Sequence, residues 1–231
     1  MKDWQITILV IGIFLLVLFA AIFIGKKTGG KKKTTVRLCA RIAVFGALSA
    51  ILYVVPVFQI HFPFFPSFLA IHFDEIPTFI AGFAYGPLAS IGVIVIKTII
   101  KLPFTSTMCV GELADLVFSL AFVLPTVLIY KKWRNLKGVA VGFAVGTVCQ
   151  LVVSVVLNIY AMLPFYMFVM GFPEDSLLAL CQAANSHITS LGWPYGLYAV
   201  LPLNAMKDAI VIIVTFIIYR YIHVLLRFDR E

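Results

Sequence analysis

The sequence predicts an all-α membrane protein, and three observations predict it. Hydrophobic residues make up 62% of the 231-residue chain and charged residues only 12%, about half the charged share usual in soluble domains. Mean hydropathy is +1.07. Apolar runs near 20 residues, the length a helix needs to cross a bilayer, recur along the whole chain and alternate with clusters of Lys and Arg. Little length is left for a soluble domain.

Residues 6–24 form the first run. It is longer than a signal-peptide core of roughly 7–15 residues, and no small-residue cleavage site follows, so it reads as a true span. Residues 26–37 are a basic linker. With Gly25 the segment nearly matches a phosphate-binding loop, but Lys32 stands where Ser or Thr is needed and no strand precedes it. A nucleotide site is therefore rejected. A second span covers residues 38–57. Pro63 and Pro66 break the next segment, and a short third span follows at 76–85. Gly86-Pro87 forms a tight turn before a fourth span that ends near residue 102. The fifth span covers 111–130, with a kink expected at Pro125. The charged loop KKWRNLKG leads to the sixth, 138–163. A longer, more polar stretch runs to residue 193, and the seventh span covers 195–221, interrupted by Pro202. The domain reading is a transmembrane helix at 1–25, the linker 26–37, and a six-helix membrane domain at 38–231.

Charge sets the orientation. Lys26, Lys27, Lys31, Lys32, Lys33, Arg37 and Arg41 fall on one face. Lys131, Lys132, Arg134 and Lys137 join them, as do Arg220, Arg227 and Arg230. That face is expected to be cytoplasmic, which puts the N-terminus outside and the C-terminus inside the plasma membrane. Asp74, Glu75, Glu174 and Asp175 mark the other face. The net charge of +8 thus reflects orientation. No folded polar segment carries a basic stretch, so no nucleic-acid partner is expected.

Polar groups inside spans are costly and are candidate functional residues. Lys97 and Lys101 share one helix face, and Glu112 and Asp115 open the next span. Two readings stand: ion pairs that pin two helices, or contacts to a ligand. Asn158 lies near the outer end of the sixth span. Asn204 and Lys207, three apart, share a face of the seventh, with Asp208 adjacent and able to neutralise a lysine. Their similar depth suggests one pocket wall, against the alternative of interhelical hydrogen bonds. The segment HFPFFPSF supplies Phe64, Phe65 and Phe68 on a proline-stiffened loop, which suits a lid over a flat ring or an interfacial belt. Ala43-x-x-x-Ala47 and Gly46-x-x-x-Ala50 permit close helix approach.

Cys39, Cys109, Cys149 and Cys181 form no C-x-x-C pair, so neither a disulfide framework nor a metal site is read. The four histidines are scattered. No nucleophile–base pair or catalytic constellation emerges, and an enzyme is not expected.

From residue 38 onward the chain resembles the S components, the substrate-binding subunits, of energy-coupling-factor vitamin transporters, and within them the riboflavin-specific group. The resemblance rests on FFPSFLAIHFDEIPTFIAGFAYGPLASIGVIVIK, STMCVGELADLVFSLAFVLPTVLIYKK, LNIYAMLPFY and LPLNAMKD. It implies a six-helix bundle, here preceded by one additional helix, that binds a vitamin near its outer face beneath a first-loop lid. Asn158, Asn204 and Lys207 would contact the ligand. Ala43 and Ala47 would pack on a membrane-embedded coupling subunit. Two cytoplasmic ATPases would use ATP, and the chain would need no cofactor of its own. Asp115 and Thr98 stand where Asn is more usual, and the stretch 167–193 is longer than in riboflavin carriers. Pantothenate, folate or another vitamin is the alternative ligand, and a stand-alone secondary transporter is the alternative class.

Overall fold

The structure, a computed structural model, describes residues 12, 17, 19–25, 27, 36–66 and 68–228, the side chains of 220–228 excepted. The expected first span and linker lie largely outside the described residues. Within them, 19–25 is helical and Ala21 is buried in the main core. Among the described residues five helical stretches are long and apolar enough to cross a membrane: Val36–Val54, Pro87–Phe104, Val110–Lys132, Leu136–Phe168 and Trp193–Tyr219. The chain is an all-α, multi-pass membrane protein.

Helix α1 (Val36–Val54) stops where Val55 meets Pro56, because the residue before proline is driven out of helical geometry. Its inner face carries Gly46, Ser49, Ala50 and Tyr53. A Cβ at Gly46 would lie 2.6 Å from Ile96 Cγ2, so the glycine lets α1 close onto α3 (Pro87–Lys101). Ala43 and Ala47 face outward and are exposed. The two small-residue motifs thus lie side by side, about 60° apart around the helix, one turned into the bundle and the other to its outside. Beyond α1, Ile60 and Ile71 exchange backbone hydrogen bonds of 2.8 and 2.9 Å and close the proline-rich segment into a loop.

Helix α2 (Glu75–Tyr85) is 11 residues long, or about 16 Å, and cannot cross a core of about 30 Å. The expected third span is therefore a half-length helix set inside the bundle. Phe79 and Ala81, on different sides of it, are both fully buried. Phe79 meets Phe122 and Phe143 edge-on, at centroid distances of 4.8 and 4.9 Å. Gly86, at φ +98°, turns the chain directly into α3.

Helices α4 (Val110–Lys132) and α5 (Leu136–Leu157) form a hairpin. Asn135 caps α5 by accepting from Gly138 N at 2.7 Å. Gly142 and Gly146 bring the pair together: a Cβ at either would sit 2.8 Å from Thr126 O or 2.4 Å from Phe122 O.

The last two spans share a device not read from the sequence. A π turn, Asn158–Met162, carries α5 into α6 (Leu163–Phe168). The stretch 167–193, expected to be merely polar, contains α7 (Glu174–Ala184), which buries Leu177 and Cys181 one turn apart. A short α8 (Trp193–Tyr195) then leads through a second π turn, Gly196–Val200, into α9 (Leu201–Phe228). The segments IYAMLP and LYAVLP echo each other, and each ends on a proline two residues past its π turn. Proline removes one i→i−4 bond, and a widened turn accommodates the loss. The expected interruption at Pro202 is this π turn. The carbonyl of Tyr198, four residues before Pro202, accepts instead from Asn185 Nδ2 at 3.4 Å.

Candidate ligand-binding site

α1 and α3 end, and α4 begins, at one end of the bundle. The basic loop 131–137 lies at the other. The former end holds a cavity of about 190 Å³. Tyr53 from α1 and Gln59, Phe68 and Leu69 from the loop after it line one part of it. Glu112, Asp115 and Phe118 come from α4, Asn158, Met162 and Tyr166 from the first π turn and α6, and Leu203, Asn204 and Lys207 from α9.

Asn158, Asn204 and Lys207, singled out separately in the sequence, all reach this cavity. So do Phe68, Lys101, Glu112 and Asp115. Phe64 and Phe65 are not among its lining residues. Phe64 is 60% exposed and packs on Phe62 and Phe65 at the loop tip. Phe68 instead turns inward to Tyr166 and Tyr195, each at 6.3 Å.

The two asparagines are held alike. Asn158 Nδ2 donates to Ser154 O at 2.9 Å, and its Oδ1 accepts from the Tyr195 hydroxyl at 3.3 Å. Asn204 Nδ2 donates to Val200 O at 2.8 Å, and its Oδ1 accepts from Gln150 Nε2 at 2.9 Å. A primary amide has two N–H donors and two acceptor lone pairs. Each therefore keeps one donor and one acceptor for a ligand.

Below the asparagines lies a buried charge network. Lys97, fully buried, donates to Asp115 at 2.9 Å, to Ser119 Oγ at 2.7 Å and to Asp74. Lys207 donates to Glu75 at 2.5 Å and stands 3.7 Å from Asp115. His72 Nδ1 pairs with Asp74, and its Nε2 lies 3.6 Å from Asp115. Burial pushes the Asp74 carboxyl up, but Lys97 and His72 outweigh it and hold the group well below the usual carboxylate range. His72, Asp74 and Glu75 have the donor types and proximity of a metal set. Ammonium groups already take oxygens of both carboxylates, however, and their charge opposes a cation.

These contacts correct three expectations. Only half of the expected lysine–carboxylate pairing at α3 and α4 forms. Lys97 pairs with Asp115, whereas Lys101 lies over the Tyr53 ring at 5.2 Å and Glu112 accepts from Thr105 and Thr107. Asp74 and Glu75 do not mark an exposed outer face: they are 0% and 1% exposed. Asp208 does not pair with Lys207, since successive helical residues point about 100° apart. It is buried without a hydrogen-bond partner. The signal for Asp74 and Glu75 was available in the sequence: two lysines inside apolar helices demand buried anions.

The family model for the substrate-specific component of ECF transporters matches residues 37–219. The riboflavin transporter FmnP of Bacillus subtilis (strain 168) is 31% identical over 182 residues, which is 78% of this chain and 90% of that protein. The riboflavin transporter RibU of Staphylococcus aureus (strain TCH60) is 27% identical over 191 residues, 83% of this chain and 94% of that one. RibU of Lactococcus lactis subsp. cremoris (strain NZ9000) is 29% identical over 175 residues, 72% and 83% of the two chains. A solved S component of a bacterial ECF transporter shares the fold, with a TM-score of 0.63 and 24% identity over 84% of this chain and 98% of that one. With most of its length matched by the family model, and a bundle that carries a polar cavity at one end, the chain belongs to the substrate-specific components of ECF transporters.

Proposed function

We propose that this chain binds riboflavin from outside the cell and presents it to an ECF importer. The observation that carries the reading is the convergence of Asn158, Asn204 and Lys207 on one cavity. Two amides with a free donor and acceptor each, and one ammonium, match a flat heterocycle rich in carbonyl and imide groups. Aromatic residues in its lining, Tyr53, Phe68, Phe118 and Tyr166, supply apolar area. The relatives named as riboflavin transporters support the same ligand.

The cavity lies at the end opposite Arg37, Lys131, Lys132 and Arg134. The positive-inside rule then faces it outward. Exposed Ala43 and Ala47 would seat a helix of the membrane coupling subunit, with two ATPase subunits beneath. The chain performs no covalent chemistry in this reading, and Phe64 and Phe65 belong to the rim of the lid.

Protein purified in mild detergent from cells grown in rich medium tests the reading. A yellow preparation that releases riboflavin on denaturation is the expected result. A preparation that releases a different vitamin would overturn the ligand, and one that neither carries nor takes up any vitamin would overturn the binding role.

A further inference from the structure

We propose that Gln150 is a positioning residue for ligand recognition: it does not line the cavity but fixes the amide of Asn204, which does. The inference rests on the flavin-binding reading above.

Gln150 and Ser154 on α5, and Asn158 at the start of the π turn that continues it, are spaced four apart and stack on one buried face. Ser154 and Asn158 serve the first amide. Gln150, 1% exposed, reaches across to α9 and donates Nε2–H to Asn204 Oδ1 at 2.9 Å. Asn204 already donates to Val200 O. With that bond alone the amide can pivot about it. With Gln150 on the opposite edge its plane is fixed, and the remaining N–H and lone pair hold their directions into the cavity. A ligand then meets a set donor–acceptor pair and loses less freedom on binding.

The other end of Gln150 argues against a purely structural purpose. Its Oε1 is buried with no hydrogen-bond partner, and an unsatisfied buried carbonyl costs stability. An apolar side chain of the same length would avoid that cost. What the glutamine adds is the bond to Asn204.

The test is a double-mutant cycle on the full chain in detergent, read by quenching of riboflavin fluorescence. Gln150→Met keeps length and volume but cannot donate. It is expected to weaken riboflavin binding roughly five- to tenfold, the range for one well-formed hydrogen bond. In an Asn204→Ala background the same substitution is expected to cost less than twofold, because Oδ1 is gone. Equal losses in both backgrounds would overturn the inference and leave Gln150 as packing. So would unchanged affinity in Gln150→Met while Asn204→Ala still weakens binding; the flavin reading would then stand. If Asn204→Ala itself leaves affinity unchanged, the site reading falls and takes this inference with it. Should Gln150→Met fail to fold, Gln150→Leu takes its place in the same cycle: it too cannot donate to Asn204 Oδ1, so the same loss is expected with Asn204 present and less than twofold without it, and equal losses in both backgrounds would overturn the inference.

Discussion

Replacing Lys97 by Met removes a cation from the middle of the bundle. Its ammonium contacts Asp74, Asp115 and Ser119, all buried with it. Breaking a buried pair by deleting one partner costs about 3–5 kcal/mol, because the remaining charge loses its compensation. Two facts place Lys97→Met at the lower end. Asp115 keeps Lys207 at 3.7 Å, and Asp74 keeps His72. A loss of about 3 kcal/mol corresponds to a fall in Tm of roughly 6–12 °C for a chain of this size. Asp74→Asn in the same chain removes the stranded charge and should recover about half. Thermal unfolding in detergent, followed by tryptophan fluorescence, reads both variants. An unchanged Tm for Lys97→Met, or a further fall on adding Asp74→Asn, would refute the reasoning.

Lys207→Ala is expected to lower riboflavin affinity about 10–100-fold, the range for a hydrogen bond to a charged group, and also to lower Tm because Glu75 loses its partner. Restoring Tm but not affinity with Glu75→Gln in the same chain, by calorimetry and titration, separates the two effects. Gly146→Ala forces a methyl against Phe122 O and should cost about 1–3 kcal/mol; an unchanged Tm would show that α4 and α5 can part without cost. Cys181 lies in α7 with its thiol pushed up to about 11 by burial. In a variant lacking the other three cysteines, alkylation at pH 8 should be slow and rise nearly tenfold per pH unit. A rate typical of a free exposed thiol would contradict the packing of α7. Asp74 is held below its unfolded value of about 3.9, so its stabilisation is complete above that pH and lost as pH falls through the folded value. Tm measured from pH 7 down to pH 3 should fall steepest below about pH 4, and a flat profile would count against the Asp74–Lys97–His72 contacts.

Which parts of the molecule were legible follows from where its signals lie. Long apolar runs announce spans by length alone, and five of them stand among the described residues. Asn158, Asn204 and Lys207 could be picked out because each is a polar residue inside such a run. Asp74 and Glu75 could not be picked out that way. They sit beside a loop, where charge is unremarkable, and the sign of their burial is indirect: Lys97 and Lys207, inside apolar helices, need buried anions. Helix α7 hides because two buried side chains, Leu177 and Cys181, are too few to make a periodic pattern. The π turns follow from Pro164 and Pro202 together with the IYAMLP and LYAVLP echo, a repeat too short to stand out. Gln150 is one polar residue in a long apolar helix, and its meaning lies in Asn204, across the bundle.

The most direct test of the account is a riboflavin titration of ligand-free protein, wild type against Asn158→Ala/Asn204→Ala, with folding of both checked by size-exclusion chromatography. The account predicts saturable one-to-one binding by the wild type and at least about 100-fold weaker binding by the double variant, two lost hydrogen-bonding groups together. Equal affinity in the two proteins, or no saturable binding by the wild type, would contradict it.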